Sequence, residues 1–310
     1  MAVPLLLSAQ QARPYRVGVV FPGGSYSRAI DGLRDGLKEL GMEQGRHFVL
    51  DERDVKGDLA AVGPAAKGLE QAKVDLIFSI ATSVTQAVKQ ATRDTPIVFY
   101  AGSDPVAFGL VESFARPGGR LTGVHGRFTD LTAKRLQLLK EIVPNLHRVL
   151  VFYNPANPAA QQSMSIAREA ARMLGLQLLE RQVASVDALR VALHALKAGD
   201  ADALCYVADA MINSQSQLVI DTALAKALPA MFATPENAAG GALASYGVSY
   251  YAFGRHCARQ VQRVLQGARP ADLPVEQIDR LHFAINLRSA RALRLTVPAS
   301  VLAMADQVIE

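Results

Sequence analysis

The chain has 310 residues, of which half are hydrophobic and a fifth are charged, and its formal net charge at pH 7 is +5. This composition is typical of a globular chain and excludes an intrinsically disordered one. The length exceeds what one core comfortably organises, so we expect two domains. The 33 lysines and arginines are spread without a dense basic run, and we therefore expect no nucleic acid among the partners.

The residue types that carry most enzyme chemistry form no recognisable motif. The two cysteines, Cys205 and Cys257, lie in apolar stretches and have no cysteine or histidine neighbour at metal-ligand spacing, so we expect buried free thiols. The sequence contains no phosphate-binding loop, dinucleotide fingerprint, nucleophile elbow or zinc-protease motif. We accordingly predict no metal, no cofactor and no enzymatic activity.

The N-terminal residues 1–12 are apolar and uncharged. One interpretation of residues 1–13 is the remnant of a signal peptide whose basic start is missing, and the other is a disordered arm. No later segment is apolar for long enough to cross a membrane.

From residue 14 onward, apolar strand-like runs alternate with helix-like stretches. In the first half the pattern predicts strands over 16–21, 48–50, 75–80 and 96–101, with helices over 29–40, over 59–73 and from Ser83. The same rhythm restarts with strands over 148–153, 177–181, 203–207 and 230–233, separated by helices over 157–174, over 185–197 and before Pro229. Strands that alternate with helices of this length indicate parallel βαβ units. The predicted fold class is therefore α/β, with two doubly wound Rossmann-like lobes and a ligand cleft between them.

Small or polar residues follow nearly every predicted strand. In doubly wound sheets, ligands bind outside the carboxyl ends of the strands, so these residues are candidates to line the cleft. They are Ser25, Tyr26, Ala81, Thr82, Ser83, Ser103, Asp104, Asn154, Asn157, Asp209 and Glu236.

Each strand end also has a purely structural explanation. Ser83 and Gln86 fit a capping box, Asn157 before Pro158 fits a helix N-cap, and Ser103-Asp104 before proline fits a turn. Both explanations are compatible, because a helix N-terminus presents free N–H groups and the positive end of the helix dipole to an anion.

These residues suit a zwitterion such as an amino acid. The helix ends would hold its carboxylate, and Asp209 or Glu236 would hold an ammonium group. Tyrosines at 26, 100, 153, 246, 250 and 251 offer rings that could border an apolar side chain. For Tyr250 and Tyr251 we favour core packing.

Six segments, in order along the chain, resemble a family of ABC-transporter substrate-binding proteins whose better-known members bind tryptophan, tyrosine or phenylalanine. They are ATSVTQA (81–87), SDPV (103–106), RPGGRLTGV (116–124), VLVFYNP (149–155), GALASYGVSYYAFGR (241–255) and INLRSARAL (285–293). The corresponding family strings are ATPSAQA, TDPV, PGGNVTGV, VGVLYN, GALATYGIDYYKLGR and INLKTAKALG. This chain differs at Ser83, where the family has proline, and at Ser249, where it has aspartate.

The resemblance implies a type I periplasmic binding fold with hinge crossovers. It gives a first lobe of 14–122 plus 248–277 and a second lobe of 123–247 plus 278–310. It implies a periplasmic protein that delivers a small carboxylate-bearing solute to an ABC permease, and we expect a monomer. The solute would be an aromatic or branched amino acid or a related acid, with Tyr246 also at the site. The alternative is a sensing ectodomain that uses the same fold without transport.

Overall fold

The computed structural model describes residues 13–310, so the N-terminal segment interpreted as a signal-peptide remnant or an arm lies, apart from Arg13, outside the described residues. Arg13 forms an ion pair with Asp75, at 2.7 Å between Nη2 and Oδ1. Within the described part, no helix combines the length and the apolar character needed to span a membrane.

The strands of residues 13–310 form two sheets. The first sheet has the order β11-β5-β4-β3-β1-β2 and the second has the order β13-β12-β10-β9-β8-β6-β7. All neighbouring strands are parallel except the antiparallel pair β10–β12. The strands are β1 Tyr15–Phe21, β2 Phe48–Asp54, β3 Leu76–Ile80, β4 Ile97–Ala101, β5 Leu121–His125, β6 Arg148–Tyr153, β7 Gln177–Gln182, β8 Ala203–Cys205, β9 Ala230–Phe232, β10 Ala244–Gly247, β11 Glu276–Gln277, β12 His282–Asn286 and β13 Gln307–Ile309.

Helices cover the faces of both sheets, as parallel connections require. They are α1 Ser27–Glu39, α2 Val62–Gln71, α3 Thr82–Ala91, α4 Thr132–Ile142, α5 Pro158–Leu174, α6 Val186–Ala195, α7 Ala210–Ser214, α8 Ser216–Ala225, α9 Pro235–Ala239, α10 Tyr250–Leu265, α11 Leu287–Ala292 and α12 Ala299–Leu302. Central strands are buried on both faces, so they are mainly apolar and do not alternate; all five residues of β3 and of β4 are buried. The α/β prediction of two doubly wound lobes is confirmed.

The chain passes between the sheets after β5, after β10 and after β11. We call the first sheet with α1–α3 and α10 the first lobe, and the second sheet with α4–α9, α11 and α12 the second lobe. Residues 123–125, which the sequence places with the second lobe, complete β5 in the first sheet, where Val124 and His125 pair with β11. Helix α10 returns to the first lobe because Gly254 lets it approach Ala29 of α1, whose carbonyl oxygen would lie 1.7 Å from a Cβ at residue 254.

The two lobes touch across the cleft. Asn213 Nδ2 of the second lobe donates to Ser25 Oγ at 3.1 Å and to Tyr250 Oη at 2.8 Å, both in the first lobe. Buried apolar side chains form one continuous cluster from Tyr26 and Tyr250 to Tyr206 and Met211. Contact between the lobes brings the carboxyl ends of both sheets together.

Candidate ligand-binding cleft

A small cavity lies where the strand ends of the two lobes meet. Its volume is about 30 Å³, which is room for about two water molecules. The lining residues come from both lobes: Tyr26, Ala81, Thr82, Ser83, Tyr100, Gly102, Ser103, Phe128 and Tyr250 from the first lobe and its crossover, and Asn157, Ala159, Tyr206, Ala208, Asp209 and Ala210 from the second.

The N-terminus of α3 faces this cavity. Ala81 is the residue before the helix, at φ 85° and ψ 146°, and no side chain of the described chain caps this end. The first backbone bond of the helix runs from Thr85 N to Ala81 O, at 2.9 Å. The N–H groups of the first turn therefore have no hydrogen-bond partner within the helix. They lie beside the side chains of Thr82 and Ser83, which line the cavity.

The capping box predicted at Ser83 is wrong. Ser83 lies inside the first turn of α3, and the Gln86 side chain donates to Phe108 O, at 3.0 Å. The strand ends at Ile80 as predicted, but the helix begins at Thr82, two residues earlier than a Ser83 cap requires, because Ala81 adopts a positive φ that turns the chain directly into the helix. This backbone is strained for a residue with a Cβ, and the strain lies at the cavity wall.

Ser103 and Thr82 join the ends of β3 and β4. The Ser103 N–H donates to Thr82 Oγ1, at 3.2 Å, and both residues are buried. The neighbouring Asp104 uses Oδ1 to accept from Val106 N and Ala107 N. Asp104 thus stabilises the turn after β4 and lies outside the cavity lining.

Asp209 is buried and links the loop after β6 to the start of α7. Its Oδ1 accepts from Met211 N at 2.9 Å and from Ile212 N at 3.2 Å, and its Oδ2 accepts from Asn154 N at 2.8 Å. Burial raises the pKa of Asp209 to about 6, and these hydrogen bonds oppose that rise.

Two asparagines flank the loop after β6: Asn154 begins the loop and Asn157 ends it. Asn157 Oδ1 caps α5 by accepting from Ala159 N at 3.1 Å, and Asn157 lines the cavity. Asn154 Oδ1 accepts from Ala156 N at 2.9 Å. Asn154 lies outside the lining but orients Asp209 through its backbone N–H.

Aromatic rings form much of the cavity wall. The ring centroids of Tyr26 and Tyr250 are 4.6 Å apart, and that of Tyr100 is 5.8 Å from that of Tyr250. Burial raises the pKa of each of these three tyrosines above its usual range, so their hydroxyls remain protonated and able to donate. Tyr250 packs in the core as the sequence favoured, but it also lines the cavity.

Some predicted residues lie apart from the cavity. Ser25 contacts Asn213 across the cleft. Glu236 accepts from Ser249 Oγ at 2.6 Å, and Tyr246 packs edge-on against Phe283. None of these three, nor Asp104 or Asn154, lines the cavity.

Sequence reasoning missed Phe128, Tyr206 and Arg135. Tyr206 follows β8, so it stands at a strand end, but the apolar run to residue 207 hid that end. Arg135 in α4 is fully buried; its Nε donates to Tyr246 O at 2.9 Å and its Nη1 to Phe128 O at 3.0 Å. In the sequence, an arginine next to Lys134 is typical of a solvent-exposed helix face, so nothing in the sequence indicates that Arg135 is buried.

In residues 13–310, no group of histidine, cysteine, aspartate and glutamate side chains is arranged to hold a metal ion. Cys205 and Cys257 are both buried and free. What the cleft offers is an uncapped helix N-terminus, hydroxyl groups and aromatic rings.

This chain is similar in sequence to a curated protein, and in both sequence and fold to solved structures. A curated tyrosine-binding protein of Clostridioides difficile (strain R20291) is 27% identical over 269 residues, which are 87% of this chain and 77% of that protein. A solved domain from Streptococcus pneumonia in complex with L-Trp is 27% identical, with a TM-score of 0.82, covering 96% of this chain and all of that one. A conserved domain protein from Vibrio cholerae is 29% identical, with a TM-score of 0.85 and the same coverage.

These neighbours share the type I periplasmic binding fold, as the sequence predicted. The sequence profile described as ABC transporter substrate binding protein matches residues 16–309. The match spans nearly the whole chain, both lobes included. This chain therefore belongs to the ABC transporter substrate binding protein family.

Proposed function

We propose that this chain is the extracytoplasmic solute-binding protein of an ABC importer, and that it binds a small carboxylate-bearing solute in the cleft. The solute would be an amino acid with an aromatic or branched side chain, or a related acid. The observation that carries the proposal is the uncapped N-terminus of α3, which faces a cavity walled by aromatic rings. The names of two relatives, which specify tyrosine and L-Trp, support the same ligand class.

The carboxylate would bind at residues 82–84. The N–H groups of the first helical turn lack intrahelical partners, and the helix dipole adds positive potential at the same end. The hydroxyls of Thr82 and Ser83 lie beside these groups. The rings of Tyr26, Tyr100 and Tyr250 would then pack against the apolar part of the solute.

Binding would require the lobes to move. A cavity of about 30 Å³ is far smaller than an amino acid, so the solute can enter only when the lobes separate or the rings shift. We infer that the lobes open and close about the crossovers after β5, β10 and β11, with closure burying the solute. An ABC permease would be the partner of the closed form, the protein would act in the periplasm as a monomer, and the solute would leave unchanged.

Calorimetry with matched ligands tests the carboxylate assignment. L-tyrosine, L-tryptophan and L-leucine would be compared with 3-phenylpropionate and with tyramine, tryptamine and isoamylamine, which lack the carboxylate. We expect at least one carboxylate to bind with a dissociation constant of about 10 μM or below, and its amine to bind about a hundredfold more weakly. Binding of an amine as tightly as its carboxylate would overturn the proposal, as would the absence of binding by every carboxylate.

A pair of variants at one position separates the backbone donor from the side chain. Thr82→Pro removes an N–H at the first helical position, where proline is well tolerated, and Thr82→Val removes only the hydroxyl. We expect the proline variant to bind the carboxylate about tenfold more weakly than the valine variant, since a hydrogen bond to a charged group is lost. Equal affinities in two variants of similar melting temperature would place the carboxylate elsewhere.

A further inference from the structure

Two charged side chains are buried next to the cavity. Among lysines, arginines, aspartates and glutamates of residues 13–310, only Arg135 and Asp209 are less than 9% exposed. Asp209 lines the cavity, and Arg135 lies against two of the rings that do. Burying a charge costs free energy unless the charge is paired. The partners of these two side chains therefore indicate which charged groups of a ligand the site can bind.

Asp209 has little capacity left for an ammonium group. A carboxylate offers about four lone-pair sites. Three of them accept the N–H groups of Met211, Ile212 and Asn154. At most one lone-pair site of Asp209 therefore remains for an ammonium group, which has three N–H donors.

The other acidic candidate lies outside the cavity lining. Glu236 Oε1 accepts a hydrogen bond from Ser249 Oγ at 2.6 Å, and Glu236 Oε2 is buried without a partner among the described residues, but Glu236 does not line the cavity. The lining thus supplies several donors for a carboxylate at α3 and at most one free carboxylate lone pair for an ammonium group.

Arg135 carries a positive charge whose partners are neutral. Two of its nitrogens donate to the carbonyl oxygens of Tyr246 and Phe128, and Nη2 has no partner among the described residues. Its guanidinium carbon lies 5.5 Å from the Phe128 ring centroid and 5.8 Å from that of Tyr206. Both rings line the cavity, so the charge lies directly next to the binding space.

This placement changes what the aromatic wall can bind. A group of tyrosine and phenylalanine rings ordinarily attracts an alkylammonium through cation–π interaction. Here the guanidinium already interacts with two of the rings, and charges away from solvent are screened little by salt. Arg135 therefore repels a second cation in the cavity and attracts an anion.

We propose that the cleft selects apolar carboxylic acids without an ammonium group, such as arylalkanoic acids, over zwitterionic amino acids, and that Arg135 sets this preference. The inference rests on the proposed function, because it assumes that the carboxylate lies at the N-terminus of α3. It narrows the proposed ligands to carboxylic acids that lack an ammonium group. Arg135 acts through the rings and is a specificity-determining residue without being a ligand contact.

Pairs of ligands that differ only in the ammonium group test the selection. Calorimetry on the full chain would compare 3-(4-hydroxyphenyl)propionate with L-tyrosine, 3-(indol-3-yl)propionate with L-tryptophan, and 4-methylpentanoate with L-leucine. We expect the acid of the best-binding pair to bind about tenfold or more tightly than its amino acid. An amino acid that binds as tightly as its acid would overturn the selection and leave the proposed function standing. Binding of neither member of any pair would overturn both.

Variants at Arg135 test its part in the selection. Arg135→Gln removes the charge and Arg135→Lys retains it, while Arg291→Gln removes a charge from an exposed residue of α11. We expect the acid-to-amino-acid affinity ratio to fall about tenfold in the glutamine variant and to persist in the other two. A purely structural role would weaken both ligands equally, so an unchanged ratio in folded Arg135→Gln would overturn the assignment. If Arg135→Gln does not fold, Arg135→Lys provides the test. A lower acid-to-amino-acid affinity ratio in Arg135→Lys, which retains the charge, would also overturn the role assigned to Arg135.

Discussion

At the scale of single residues, Asp209 has the most distinctive environment. Burial raises the pKa of its carboxyl group to about 6, whereas an aspartate in an unfolded chain titrates near about 3.9. The folded protein therefore holds this proton more tightly than the unfolded chain does. Ionisation between about pH 4 and pH 6 favours the unfolded chain, so the contribution of Asp209 to stability falls as pH rises through that window and is constant above it.

Replacing Asp209 with asparagine removes this titration. Asparagine keeps an oxygen that can cap Met211 and Ile212, but it has no charge to ionise. We expect the free energy of unfolding of the wild type, relative to Asp209→Asn, to fall by about 2 kcal/mol between pH 4 and pH 7. Urea denaturation at several pH values measures this difference. A difference that stays constant with pH would show that Asp209 does not titrate in this window.

Residue types and positions predicted part of the site but not all of it. Thr82, Ser83, Asn157 and Asp209 follow strands that the apolar pattern locates to within a few residues, so they could be assigned to the cleft. Arg135 could not be, because its burial depends on the carbonyl oxygen of Tyr246, which is 111 residues away in the chain. A contact of that range leaves no periodic signal in the sequence around α4.

At the scale of secondary-structure elements, the entry into α3 stores strain. Ala81 adopts φ 85° and ψ 146°, a backbone conformation that glycine tolerates and that is costly for other residues, by about 1–3 kcal/mol. Its amide donates to Tyr100 O, and its carbonyl accepts from Thr85 N. The two bonds hold the residue between β4 and α3, and this conformation places the free end of the helix at the cavity.

A glycine at position 81 should relieve the strain. We expect Ala81→Gly to raise the free energy of unfolding by about 1 kcal/mol, because the relieved strain exceeds the added backbone entropy of the unfolded chain, about 0.5–1 kcal/mol. Ala87→Gly inside α3 is the control, and we expect it to lose about 1 kcal/mol. Urea denaturation compares the two variants. Equal losses in both would mean that Ala81 is not strained.

Boundaries of elements were harder to predict than the elements themselves. The helix predicted over 59–73 is divided in the structure, with a 3-10 turn at Leu59–Ala61 capped by Asp58 and the α-helix beginning at Val62. The strand predicted over 203–207 ends at Cys205. Tyr206 follows the strand; its ring stacks on Phe232, with centroids 5.6 Å apart, and its hydroxyl accepts from Asp209 N. Neither boundary follows from the local apolar pattern.

At the scale of the whole molecule, small residues allow the lobes to meet. Gly24 lies in a 3-10 turn of the first lobe at φ 58°, and a Cβ there would lie 2.1 Å from Ser214 O in the second lobe. Next to it, Asn213 donates to Ser25 and to Tyr250 across the cleft. Contacts this close can form only when the two lobes are together. A substitution at this edge of the cleft therefore tests whether the lobes close around the solute.

A methyl group at position 24 should hold the lobes apart. We expect Gly24→Ala to weaken binding of the preferred carboxylate about tenfold or more, and small-angle scattering with saturating ligand to give a larger radius of gyration than for the wild type. Gly109→Ala is the matched control, because Gly109 has φ 65° but no atom within 4 Å of a Cβ placed there. Both variants carry the cost of a left-handed alanine, about 1 kcal/mol, so a loss of affinity confined to Gly24→Ala isolates the contact between the lobes. If Gly24→Ala binds as tightly as Gly109→Ala, the solute is held without closure at this edge, and the hinge proposal fails.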